Sequence, residues 1–298
     1  MDTEQIRRRR QEVVERFGPW TAHNIHLRDD LYTIGPSIVG DEVKLRRITQ
    51  VVSDIAGRPL ADLRVLDLGS LEGLYAVELA RHGASVMAVE IREANIEKMR
   101  FAKEALALDN FEIVSDDVRN LNAEKYGHFD IVLCLGLLYH LDAPDVFDFT
   151  KRVAEVCRHA AIFDTHVSLA DEISQAYDGE EYRGTNFLEH RDDETEEERK
   201  QKLWASAGNP KSFWLTKPSL NNLLSRVGFT SVYECHNPSE INKPADRVTL
   251  VALKGERAEL LSAPLMSGRV EERWPEKPRV ESSTLKRLGR RVMNKLLK

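Results

Sequence analysis

The chain has 298 residues, 42% of them hydrophobic, and a formal net charge of −6. That supports one large domain or two small ones with a sizeable core, and the negative balance argues against a wholesale nucleic-acid binder. Cys134, Cys157 and Cys235 are odd in number and lack metal-ligand spacing, so they read as free, buried thiols in a reducing compartment.

No apolar core follows the basic N-terminus, and no run approaches the ~18 apolar residues of a spanning helix, so a cytoplasmic protein is expected. Residues 3–17 predict a helix with Ile6, Val13, Val14 and Phe17 on one side, its run Arg7 to Arg10 forming a solvated face. Residues 17–36 are rich in aromatics, histidine and turn formers without a clean period. Such a segment reads as a cover over a site, which makes Trp20, His23, His26 and Tyr32 candidate acceptor contacts. Val43 to Ile55 predicts a helix with Val43, Arg46/Arg47, Val51 and Ile55 on its buried stripe.

From Arg64 onward, strands and helices alternate, the pattern of a parallel sheet covered on both faces. The predicted strands are Val65–Leu68, Ser85–Val89, Phe111–Val114, Phe129 onward and Ala160–His166, with helices Leu74–His82, Glu93–Ala107 and Pro144–Cys157 between them. Residues 170–200 turn strongly acidic and read as an insertion outside the sheet, partly helical, with Tyr177, Tyr182, Phe187, Trp204, Phe213 and Trp214 at its ends. Thr216–Val227 predicts a helix with Thr216 as its N-cap. Ser231–Cys235 and Arg247–Leu253 predict two strands with no crossover helix between them, free to pair antiparallel. The last residues, 282–298, form a basic amphipathic pattern suited to a membrane surface or to the protein's own acidic insertion. The expected organisation is an N-terminal cover (1–60), a doubly wound Rossmann-like α/β domain (61–255) with an inserted lid at about 168–213, and a C-terminal extension (256–298).

In a doubly wound sheet, ligands bind at the carboxyl ends of the strands. The first strand there runs into Asp67, Gly69, Ser70 and Gly73, and the helix after Gly73 aims its amides at that loop. Glu90 follows Gly73 by 17 residues, near the offset at which an acid accepts both ribose hydroxyls. Asp117 is placed to accept from the adenine amine, with Val118 packing on the ring, and Ile91 and Leu135 are further cofactor-binding candidates. The spacing D-x-G-x-x-x-G, with Glu72 in the loop, favours an amino acid beside adenosine over a diphosphate. That disfavours a nicotinamide-dependent reductase.

Four successive pieces, V-L-D-L-G-S-L-E-G, A-V-E, S-D-D-V and F-D-I-V-L-C-L-G-L-L-Y-H-L, make Val65 to His166 resemble a class I S-adenosylmethionine-dependent methyltransferase. The resemblance implies S-adenosylmethionine as cofactor, held by Asp67, Gly69, Gly73, Glu90, Asp117, Val118 and Leu135. Ser70 departs from the cysteine or alanine common there. The stretch G-L-L-Y-H-L-D-A-P is similar to a narrower group that includes tRNA wobble-uridine carboxymethyltransferases, which implies that Tyr139 lies near the transferred group. A sugar, glycolipid or secondary-metabolite hydroxyl is the expected acceptor. His140 and His166 are the candidate bases, with Asp164 a candidate to orient His166, and Trp20, His26, Tyr32, Tyr182 and Trp214 are candidate acceptor contacts. No metal cluster is evident. A tRNA-modifying enzyme would need a basic face and a basic side chain beside the transferred group, and a non-catalytic adenosine-binding module would need a closed crevice.

Overall fold

The computed structural model describes residues 1–37, 42–235 and 244–267. The basic helix expected at 282–298 lies outside them. Helix α1 (Thr3–Phe17) opens on a reciprocal capping box between Asp2 and Gln5 and buries Ile6 and Val13. The expected cover contains a small hairpin, β1 (His26–Arg28) and β2 (Leu31–Tyr32). Helix α2 (Glu42–Ala56) buries Arg47, Ile48 and Val52. Its stripe is therefore rotated from the expected one. Ile48 and Val52, four apart, face the core, Val51 and Ile55 flank them, and Val43 is exposed.

The central region runs β3 (Arg64–Leu68), α3 (Leu74–Arg81), β4 (Ser85–Glu90), α4 (Glu93–Leu106), β5 (Phe111–Ser115), α5 (Ala123–Tyr126), β6 (Phe129–Leu135), α6 (Asp145–Val156) and β7 (Cys157–His166). The insertion supplies β8 (Ile173–Tyr177), β9 (Glu180–Leu188), α7 (Glu196–Gln201) and β10 (Lys211–Leu215). Helix α8 (Lys217–Arg226), capped by the Thr216 hydroxyl, leads to β11 (Ser231–Glu234) and β12 (Arg247–Leu253).

The seven-stranded sheet has the order β5-β4-β3-β6-β7-β12-β11. The strands from β3 to β7 are parallel, while β12 is antiparallel to both β7 and β11. Its strands are apolar on both faces because both are covered. Val65, Ile131, Leu133 and Ile162 join the core under α3 and α4. Leu66, Leu68, Val132 and Phe163 join the core shared with α6 and α8. Cys134 and Cys157 are buried within it, and burial pushes the Cys157 thiol up to about 12.

The insertion departs from the expected partly helical segment. It forms its own antiparallel sheet, ordered β10-β9-β8. Burial along β8 alternates residue by residue, so Ile173, Gln175 and Tyr177 pack while Ser174 and Ala176 face water. The acidic run is confined to the turn and to α7, which is capped by a Thr195–Glu198 box. Among the described residues no helix is long and apolar enough to cross a membrane.

Candidate active site

The carboxyl ends of β3 to β7 open on a cavity of about 500 Å³. At β3, Gly69 and Gly73 both take positive φ, +64° and +85°. A Cβ at Gly73 would meet Met99 Cγ at 2.7 Å, so the loop folds tightly onto α4 only without a side chain there. Gly73 itself does not line the cavity, whereas Asp67, Gly69, Ser70, Glu90, Ile91, Asp117, Val118, Leu135 and Tyr139 do.

Asp67 is buried, and its Oδ2 has no hydrogen-bond partner. Burial, reinforced by the Glu90 charge and opposed by the Ala76 N–H, pushes its carboxyl up to about 7. Burial raises Glu90 as well, against the N–H groups of Arg92, Leu71 and Ile91 that its carboxylate accepts. Two buried acids, both raised and one with an oxygen unmatched, fit a ligand that brings an ammonium and hydroxyl donors. An S-adenosylmethionine-type cofactor has both. Asp117 is paired with Arg119 (Nε at 3.0 Å) and held low by it against burial.

Glu72 does not sit in the loop as the spacing suggested. Its carboxylate is fully buried and turned toward the N-terminal cover. There it accepts the N–H groups of Thr21 (2.9 Å) and His23 (3.1 Å) and the Lys98 ammonium (2.9 Å). Through this contact His23 reaches the cavity, and its Nδ1 accepts the Leu74 N–H at the start of α3. The rest of the cover lies elsewhere. Trp20 is buried against Phe101, and the His26 and Tyr32 rings meet at a tilt beside a separate, smaller pocket. The hairpin and the Glu72 anchor turn these three away from the crevice. Tyr182 is likewise buried against Phe147, on the far face of the insertion sheet, so none of these four lines the cavity.

The acceptor end is built by elements that enter from opposite directions. Tyr139 and His140 follow β6, and His166 ends β7. Because β12 runs antiparallel to β7, its first residues arrive at the same edge, with Arg247 opposite His166. Arg247 Nε donates to Asp164 Oδ1 at 2.7 Å, and its guanidinium lies 4.9 Å from the Tyr139 ring centroid. Thr249 also donates to Asp164, and Lys44 Nζ stands 3.8 Å away. These cations hold Asp164 low despite burial. Asp164 is thus committed to β12 and does not orient His166. Asp246 does face that ring, at 3.1 Å from Nδ1, as an ion-pair contact off the hydrogen-bond direction. Burial, then the Arg247 charge, push His166 down against Asp246.

The insertion sheet stands behind that end of the cavity: none of its strand residues lines it, the expected acceptor contact Trp214 included. Register pairs Ser212 with Phe187 and Trp214 with Thr185, so these four share one face. Glu189 follows two residues beyond Phe187. Trp214 stacks on His166 at 4.9 Å and on Phe187 at 4.4 Å, and its Nε1 donates to Tyr139 O. Glu189 meets His140 Nδ1 at 3.0 and 3.1 Å. Burial alone would raise Glu189, but His140, the Ser206 N–H and the Ser212 hydroxyl outweigh it and hold the carboxyl low. Residues 203–207 line the cavity, pinned by Arg92, whose guanidinium donates to Lys202 O (3.0 Å) and Ala205 O (2.8 Å). Sequence reasoning missed Glu189, Arg247 and Asp246. An antiparallel final strand, once predicted, must begin at the ligand edge, and that signal points to Asp246 and Arg247. Nothing local marks Glu189 among so many acids.

Residues 65–160 match a family model described as a methyltransferase domain. A stretch of 85 residues is 34% identical to the ubiquinone biosynthesis O-methyltransferase of Acinetobacter baylyi, covering 28% of this chain and 36% of that protein. Another, of 123 residues, is 30% identical to the magnesium-protoporphyrin O-methyltransferase of Rhodobacter capsulatus, covering 41% and 51%. The chain therefore spans about a third to a half of the length of these curated relatives. Among solved structures, the N-terminal domain of EvdMO1 in the presence of SAH and D-fucose is similar at a TM-score of 0.65 and 25% identity, covering 86% of this chain and 98% of that one.

Proposed function

Since residues 65–160 place the chain among the class I S-adenosylmethionine-dependent methyltransferases, we propose that it methylates a hydroxyl of a sugar or sugar-bearing small molecule, with His140 as general base. The bound cofactor supplies a methyl group already activated on a sulfonium, so positioning carries most of the acceleration. Asp67 would hold its ammonium, Glu90 its ribose hydroxyls, and Asp117 with Val118 its adenine.

The His140–Glu189 pair is the observation that carries the reading. A carboxylate only accepts, so His140 Nδ1 holds the proton and Nε2 keeps the free lone pair. The acceptor hydroxyl gives its proton to Nε2, and Glu189 stabilises the imidazolium that forms. A base so placed contributes on the order of 10² to 10⁴ in rate. The cavity continues past the adenosine end to His140, His166 and Asn209. That leaves room for an acceptor and counts against a purely regulatory module. The mixed aromatic and polar wall of Tyr139 and the two histidines, backed by Trp214, suits a sugar ring, and the similarity to a domain studied with D-fucose agrees with it. In the test, His140→Gln lowers kcat at least a hundredfold while leaving S-adenosylhomocysteine affinity unchanged. Full turnover in His140→Gln would remove the base assignment, and a loss seen only in His166→Gln would move it there.

A second reading, transfer from a carboxylated cofactor onto tRNA, is favoured by one observation: Arg247 and Lys44 line the cavity beside Tyr139. Two features weigh against it. Both cations converge on Asp164, and three N-terminal arginines are engaged within the protein, Arg7 with Glu4, Arg9 with Glu12 and Arg10 with Thr33 O. Among the described residues that leaves little of the phosphate-binding face the reading requires.

A further inference from the structure

Buried polar atoms in folded proteins are nearly always hydrogen-bonded, and an orphan calls for an explanation. Asn95 carries two. Its side chain is fully buried, and neither Oδ1 nor Nδ2 has a partner. The residue lies in the first turn of α4, five positions after Glu90, and borders the same cavity as Glu90 and Ile91. Asp67 Oδ2, a further orphan, borders that cavity too. Orphans gathered on one cavity wall are the mark of a polar ligand the wall is shaped to receive.

Resting on the reading of this cavity as the S-adenosylmethionine site, we propose that Asn95 is a cofactor-binding residue that works with Glu90 on the ribose. Glu90 already accepts three backbone N–H groups, and as a carboxylate it offers acceptors only. A ribose hydroxyl both donates and accepts. Asn95 Nδ2 provides the donor the acid lacks, and Oδ1 provides a second acceptor, directly or through one buried water of the kind that bridges such groups. Without ligand the amide is a liability to the fold, because it is desolvated and unpaired.

That liability separates a binding role from a structural one. Asn95→Leu removes both orphans at nearly the same volume. The expected result is a melting temperature without ligand at or above that of the parent, with S-adenosylhomocysteine bound about five- to thirtyfold more weakly by calorimetry. Asn95→Ser, which keeps one hydroxyl and makes room for water, should fall between. Unchanged affinity in the leucine variant would overturn the proposal. So would a fall in melting temperature shared by the leucine and serine variants with affinity retained, since Asn95 would then serve the fold. If leucine does not fit, Asn95→Ala decides by the same affinity criterion. Failure of the parent itself to bind S-adenosylhomocysteine is a different result, which removes the cofactor reading.

Discussion

Asp67 is held where a carboxylate is poorly tolerated, and the consequence is measurable. Its carboxyl rises from 3.8 to about 7. Such a group is protonated in the folded chain and ionised in the unfolded one between those two values, so the unfolded state binds fewer protons there and stability falls as pH rises. At about 1.4 kcal/mol for each tenfold change, the burden on the ligand-free fold reaches about 4 kcal/mol by pH 8. Asp67→Asn removes it while keeping the shape. Urea unfolding of parent and variant at pH 4, 6 and 8 should show little difference at pH 4, with the variant gaining steadily and ahead by up to about 4 kcal/mol at pH 8. Groups common to both chains cancel in the difference, apart from Glu90, which relaxes when its charged neighbour is gone. The same substitution should weaken cofactor binding, and binding to the parent should tighten from pH 6 to pH 8 as Asp67 ionises against the ammonium. A stability difference independent of pH would refute the reasoning.

Three further outcomes follow from the site. Glu189→Gln should lower kcat roughly ten- to a hundredfold with S-adenosylhomocysteine affinity unchanged, since only the orientation and charge support of His140 are lost; equal kcat in steady-state assays would exclude that role. Glu72→Ala leaves the Lys98 ammonium buried without a counter-charge, held by Pro19 O, and frees residues 21–23, so urea unfolding should show a loss of about 3–5 kcal/mol. Gly73→Ala should destabilise the chain and weaken the cofactor together, because the added Cβ meets Met99 at 2.7 Å on a backbone with φ of +85°; a thermal melt and a binding titration check both.

What was legible in the sequence was what repeats locally. Apolar runs ending in Asp67, Glu90 and Asp117 marked the strands, and their carboxyl ends marked the crevice. A mostly parallel sheet with an antiparallel last strand was expected, and β12 is that strand, antiparallel to both β7 and β11. The failures share a physical cause. Trp20 and Tyr182 are aromatic residues in polar neighbourhoods, and only the tertiary fold decides whether such a ring faces a ligand or a core. The insertion read as polar and partly helical because the acidic run before and within α7 outweighs the short alternation of β8 and β9. Glu72 looked like a loop residue until the cover that its carboxylate binds was in place. Glu189 and His140 lie 49 residues apart, and no local pattern announces that they meet.

The central claim is that this cavity takes S-adenosylmethionine and uses it unmodified. Calorimetric titration of the purified protein with S-adenosylmethionine, S-adenosylhomocysteine, the carboxylated cofactor and NADH tests it most directly. Binding of the first two, with the carboxylated form much weaker, is the predicted result and opens an acceptor screen beginning with sugars and glycolipids. Preference for the carboxylated form, seated by Arg247 and Lys44, would contradict the choice of cofactor, and binding of NADH alone would contradict the reading of the crevice itself.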